Sequence, residues 1–305
     1  MAYFTLHPSA PFRLDLTVWV LRRQAHNAID VWDQGTYRRS WIYGEERLAL
    51  RLWQTRGPMD PVLEAEIYAG PDDDRAIAWV RERLQWILGI NRDLAPFYAF
   101  AAKDPRLGAL VEHYRGFRPP RFDSLYEGLI NAIACQQLSL QVGIHLLNRL
   151  CRICEGDSGG LDRALPFPPP QQILNLAPEL LRDIGFSQQK IRSVRAVAEA
   201  ASAGDWDERA WPGMPVEQIR ERLLWIRGIG RWSVEYVLLR ALGQLEIFPG
   251  DDVGGRKSLL RWLGGDATVV GYEETIAHLK PWAPFAGMVY FFMLLRRLEE
   301  AGHIT

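Results

Sequence analysis

Cysteine is scarce in this chain: Cys135, Cys151 and Cys154 are the only three in 305 residues. Three thiols cannot all pair within one chain, and so thin a supply excludes a disulfide-stapled scaffold and fits a reducing compartment. Cys151 and Cys154 form a lone CxxC with no second pair and no suitably spaced histidines. Ordinary thiols are the simpler reading, and a redox or partial metal role stays open. No cysteine follows Cys154, so the C-terminal region offers no ligands for an iron-sulfur cluster. The six histidines show no metal-ligand arrangement, and no metal or cofactor is expected to be required. Long hydrophobic runs are also absent: no stretch of about 18 uncharged apolar residues exists to span a bilayer. The first eight residues have neither the basic region nor the apolar centre of a secretory leader, so a cytoplasmic location is the expectation. Charge of one sign is lacking too. Lys and Arg number 36 against 37 Asp and Glu, net -1, which excludes a surface uniformly coated for nucleic acid but leaves room for a local basic face.

What is present is a folded composition, 48% hydrophobic, in a chain long enough for two or three cores. The first hundred residues read as short β-branched and aromatic segments at 12–20, 28–32, 36–42, 45–53 and 62–68, divided by turns such as Asp33-Gln34-Gly35 and Tyr43-Gly44. From 72 to 88 the pattern changes to helix, with Ile77, Val80, Leu84 and Leu88 about one turn apart and carboxylates at the start. Pro119 and Pro120 interrupt the chain. They set an expected boundary between an N-terminal α+β domain (1–115) and a helical region (116–305) with room for two subdomains. Helical patterning continues over 124–150, from the turn at Gly185 to about 200, over 217–225 and 231–242, and near 256–262, 273–279 and 285–298. Strands first and helices afterwards define an α+β fold.

The segment LLWIRGIGRWSVEY (223–236) joins two of these helices, at about 217–242, through Gly228-Ile229-Gly230. Paired glycines permit a tight turn and close backbone approach, and the helix starting near Arg231 presents amides with no intrahelical acceptor. Such amides can hold DNA phosphates without reading a base. A purely structural hairpin fits the same pattern. Arg222, Arg227, Arg231, Arg240, Arg256, Lys257 and Arg261 gather around it, and solvated surface accounts for them as well as a DNA face does. FPGDD (248–252) follows, where Asp251 and Asp252 can divide the work of capping a helix and facing a substrate. Trp232 and Tyr236, four residues apart, share one helix face, and Trp282 follows Pro281. Each of these rings is either core or the wall of a slot for a flat base. Asp15, the Asp72 to Asp74 cluster and Trp19 read as structural.

With these motifs in order, the chain resembles the helix-hairpin-helix DNA glycosylases, in the DNA-3-methyladenine glycosylase II branch that handles alkylated bases. LWIRGIGRW (224–232), PGDD (249–252) and KPW (280–282) resemble its hairpin, catalytic loop and later aromatic segment, and NAIACQQLS (131–139) its first core helix. The resemblance implies that Asp252 is the catalytic acid, with Asp251 the alternative, and that Trp232, Tyr236 and Trp282 form the base pocket. It places Gln136, Gln137, Gly228, Ile229, Gly230 and Arg231 at the DNA, and allows a structural monovalent cation on hairpin carbonyls. Four departures stand out. Arg227 replaces the usual proline, Gly254 and Gly255 follow the acid, and Ala134 stands where a relative has a leucine wedge. Trp232 stands where bifunctional relatives carry the Schiff-base lysine. The implied activity is hydrolysis of the N-glycosidic bond of bases such as 3-methyladenine and 7-methylguanine in base excision repair, by a monomer on damaged duplex DNA. A non-catalytic lesion-binding protein and a bifunctional oxidised-base glycosylase are the alternatives.

Overall fold

The computed structural model describes residues 1–155, 164–204, 211–265 and 270–305. The chain opens with β1 (Ala2–Leu6) and α1 (Leu14–Arg22), continues through β2 (Val31–Asp33), β3 (Thr36–Tyr43), β4 (Glu46–Gln54) and β5 (Leu63–Ala69), and enters α2 (Asp74–Leu88). The strands make one sheet in the order β1-β5-β4-β3-β2 with every pair antiparallel. Asp73 caps α2 by accepting from the Ala76 amide, and Gly89 ends it in the left-handed region.

The strand expected over 12–20 is instead α1. Leu14, Leu16, Thr17, Val18, Val20 and Leu21 are all buried, and a helix covered on nearly every side loses the one-face contrast that marks helices in sequence. The strand expected over 28–32 forms later, as β2 over Val31–Asp33, and β1 was not anticipated.

The other described elements are helices: α3 (Ala95–Ala101), α4 (Pro105–His113), α5 (Leu125–Cys135), α6 (Leu140–Glu155), α7 (Pro170–Asn175), α8 (Pro178–Asp183), α9 (Gln188–Ser202), α10 (Val216–Leu224), α11 (Arg231–Arg240), α12 (Val253–Leu263), α13 (Tyr272–Leu279) and α14 (Ala286–Glu300). An N-terminal antiparallel sheet therefore precedes a mostly helical, hairpin-containing core, as expected. The single helix anticipated over 124–150 breaks into α5 and α6 at Gln136, where the backbone turns extended, and Gln137, at φ 56°.

Two apolar cores hold these elements. One packs the sheet and α2 against α5, α6, α9 and α11. The other joins α3 and α4 to α12 and α14. Helix α1 feeds both, sending Leu14, Val18 and Leu21 into the first and Leu16 and Val20 into the second. A buried charged cluster also ties sheet to helices: Arg39 of β3 donates to Asp30 at 2.6 Å and to Glu127 of α5, and the Tyr37 hydroxyl donates to Asp30 at 2.8 Å.

Candidate active site

Helix α10 closes with the Ile226 amide on the Leu223 carbonyl, and the turn with the Ile229 amide on the Ile226 carbonyl. Gly228 is required there on two counts. Its φ is 83°, and a Cβ would lie 1.9 Å from Ser193 Oγ on α9. Gly230 is different: a Cβ there meets nothing within 4 Å. The space it leaves clear lies ahead of α11, which it caps without a side chain. The first α11 amides, from Arg231 to Ser233, thus have no intrahelical acceptor and sit at the positive end of the helix dipole. Ile229 is buried, so only its backbone is available outside. Gln136 braces the turn, its Nε2 donating to the Gly228 carbonyl at 3.0 Å and to Ser233 Oγ at 2.9 Å. Its side-chain donors serve the hairpin, while exposed Gln137 stands at the cleft rim.

The two carboxylates differ in their partners. Asp251 forms an ion pair with Arg231 at 2.7 Å, and the Arg231 guanidinium lies 3.8 Å from the centre of the Tyr272 ring. Asp252 caps α12, Oδ1 accepting from the Gly255 amide at 2.6 Å, while Oδ2 faces the Trp232 indole N–H and the Tyr290 hydroxyl, each at 3.3 Å. Capping and facing the cleft, expected to be divided between the two carboxylates, are both done by Asp252. Its loop is held by Glu235, a buried carboxylate on α11 that accepts from the Gly250 amide at 3.0 Å and from the Tyr272 hydroxyl at 2.6 Å. Burial, and then the Asp252 charge, hold the Tyr290 phenol well above its usual range. It therefore stays a proton donor to the acid.

These groups surround a cleft of about 1040 Å³. Trp232 and Tyr236 line it, but they stack on each other, centroids 5.2 Å apart and planes at 22°. That is direct ring contact and leaves no space for a base between them. The half-buried Trp232 covers the buried Tyr236. Beneath, Arg23 donates to the Tyr236 hydroxyl at 2.6 Å and to Asn131 Oδ1 at 2.5 Å. Arg23 ends α1 at φ 62°, a left-handed conformation that costs a non-glycine residue energy and is held here by those buried bonds.

Trp282 is not in the cleft. It is buried in the second core, donates to Asp104 Oδ2 at 2.8 Å and packs on Trp262 with centroids 4.8 Å apart. A short 3-10 turn (Lys280–Trp282) after α13 aims the ring at the start of α4. Tyr290 of α14 provides the aromatic group beside Asp252 instead. Trp19 lies elsewhere too, stacked on His303 at 4.6 Å. Sequence reasoning missed Arg23, Glu235 and Tyr290. A polar residue breaking the long apolar pattern of α14 is a usable signal for Tyr290; for Arg23 there is none, because its helix was read as a strand. Cys135 also lines the cleft, but burial pushes its thiol up, as it pushes Cys154 up to about 12, so neither is poised as a thiolate. Ala134 is wholly buried in α5 and does not line the cleft. Of the basic residues near the hairpin, Arg240 is buried on the Val20 carbonyl, whereas Arg222, Arg227, Lys257 and Arg261 are exposed. Of the hairpin oxygens a cation would use, the Ile226 and Gly228 carbonyls each accept one protein donor.

Open amides at a glycine turn, beside an acid in an aromatic-lined cleft, are the arrangement of a helix-hairpin-helix protein. The chain belongs to the family described as HhH-GPD superfamily base excision DNA repair protein, which matches residues 130–284. It is similar to DNA-3-methyladenine glycosylase 1 of Schizosaccharomyces pombe, 34% identical over 182 residues covering 59% of this chain and 75% of that one. It is also similar to the DNA-3-methyladenine glycosylase of Bacillus subtilis, 28% identical over 232 residues covering 73% and 75%. The 3-methyladenine DNA glycosylase structure from Archaeoglobus fulgidus shares the fold at a TM-score of 0.81 with 24% identity, covering 97% and 98% of the two chains. The protein is thus a DNA-binding glycosylase of base excision repair. No helix among the described residues is long and apolar enough to cross a membrane.

Proposed function

We propose that this glycosylase is monofunctional and hydrolyses the N-glycosidic bond of alkylated bases, such as 3-methyladenine and 7-methylguanine, in duplex DNA, and that it works as a monomer. The observation that carries the reading is the Asp252 carboxylate, aimed into the cleft by Gly255, Trp232 and Tyr290, with an indole and not an amine at position 232. The names of the two relatives above support the alkylated class.

Hairpin amides and exposed arginines hold the backbone, and the lesion leaves the stack to enter the cleft. An alkylated purine already carries positive charge, so it departs without being protonated. Asp252 stabilises the cation developing on the sugar and takes the proton of the attacking water. This is the electrostatic work of a glycosidase carboxylate without a covalent intermediate. The open face of Trp232 favours a cationic ring by about 0.5–2 kcal/mol. With Ala134 buried, filling the vacated stack falls to the rim side chains Gln137 and Leu138, both exposed.

The test is chromatographic detection of free base from alkylated, deaminated and oxidised duplexes, with borohydride added in parallel. Free alkylated base with no trapped adduct is expected. Binding without release across the panel would make the chain a lesion-binding protein, and a trapped adduct would make it a lyase.

A further inference from the structure

Four of the large apolar side chains left in solvent lie by the hairpin turn or the Asp252 cleft. Leu138 and Val253 edge the Asp252 cleft, and Leu224 and Trp225 stand where α10 runs into the turn. Trp225 is 89% exposed, against 47% for Leu224 and 51% for Val253. Its ring borders a second groove, between α9 and the end of α10, lined by Ala196, Ala200, Arg222, Trp225, Ile226 and Arg227. Arg227 adjoins Gly228, which lines the Asp252 cleft, so the turn separates two concave surfaces. Arg222 and Arg227 are exposed, whereas Arg220 is committed to Glu217 and Glu235.

We propose that Trp225, with Arg222 and Arg227, is a second contact for the DNA backbone, on the side of the turn away from Asp252. The two guanidiniums take phosphates and the indole lies against the deoxyribose between them, extending the strand beyond the phosphates at the hairpin amides. DNA is favoured over a protein partner because the patch is continuous with the turn, three residues from Gly228, and cations flank the ring. Backbone contacts of this kind fix position without reading sequence. The inference rests on the hairpin's hold on DNA and not on which base is excised.

The test is affinity of the full chain for undamaged duplex, on a short duplex confined to the cleft and on a longer one, across a salt series. Trp225→Ala is expected to weaken the longer duplex about tenfold with little effect on the short one, and Trp225→Phe to restore most of the loss. Arg222→Gln and Arg227→Gln should each lower the slope of log K against log salt by about one. Wild-type affinity and slope in all the variants would overturn the proposal. So would a fall in melting temperature for Trp225→Ala, which would assign the ring to packing. Because the readout is undamaged DNA, this failure is separate from a failure of Asp252, which is read on base release.

Discussion

At the scale of single residues, adjacent carboxylates have been given different tasks by their partners. Asp251 neutralises Arg231, while Asp252 is aimed by a helix amide, an indole and a phenol. That Asp252 stands directly before a helix was legible in the sequence, and the structure has it as the cap of α12. The place of Trp282 was not. An aromatic at a promising position in the chain carries no mark of which way its short turn aims it, and here the indole serves the cap of α4. Trp282→Phe is therefore expected to cost about 1.5–3 kcal/mol of stability through the lost hydrogen bond to a carboxylate, seen in denaturant melts, while base release per folded molecule stays at the wild-type rate. Trp232→Ala should slow release, since it removes both the stacking face and a donor to Asp252.

At the scale of elements, the hairpin was the most readable part of the chain, because glycine spacing and flanking helical patterns are local signals. Its two glycines nevertheless do different work. Gly228→Ala forces a left-handed alanine, about 1–3 kcal/mol, and adds a clash with Ser193, so melting temperature should drop. Gly230→Ala meets nothing inside the protein, and should leave melting nearly unchanged while weakening duplex binding. Equal thermal effects of the two substitutions would contradict this division. Helix α1 was unreadable for a different reason. Its residues are buried on two sides by two separate cores, and the resulting apolar run mimics a strand. The misreading hid Arg23, whose position beneath Tyr236 depends on where α1 ends.

At the scale of the molecule, the sheet and the helices are held together by shared cores and by a buried charged cluster. Burial pushes the Glu127 carboxyl up to about 7, with the charges of Asp30 and Asp123 acting in the same direction and Arg39 against them. One guanidinium faces two buried carboxylates, and the excess negative charge favours holding a proton. The folded value lies above the ordinary 4.5. Glu127 therefore contributes stability fully at low pH, and the contribution is lost as pH rises from about 4.5 through about 7. Glu127→Gln should flatten that decline when wild type and variant are melted across the range. A parallel shift at every pH would remove Glu127 as its source. None of this cluster could be seen in the sequence, since Asp30, Arg39 and Glu127 meet only after the sheet has packed on α5.

The acid that caps α12 beside the glycine hairpin is tested most directly by single-turnover release of methylated base from duplex DNA by Asp252→Asn, with duplex affinity measured alongside. Release is expected to fall by about 10²–10⁴-fold with affinity retained. Release at the wild-type rate would contradict Asp252 as the group that stabilises the sugar cation.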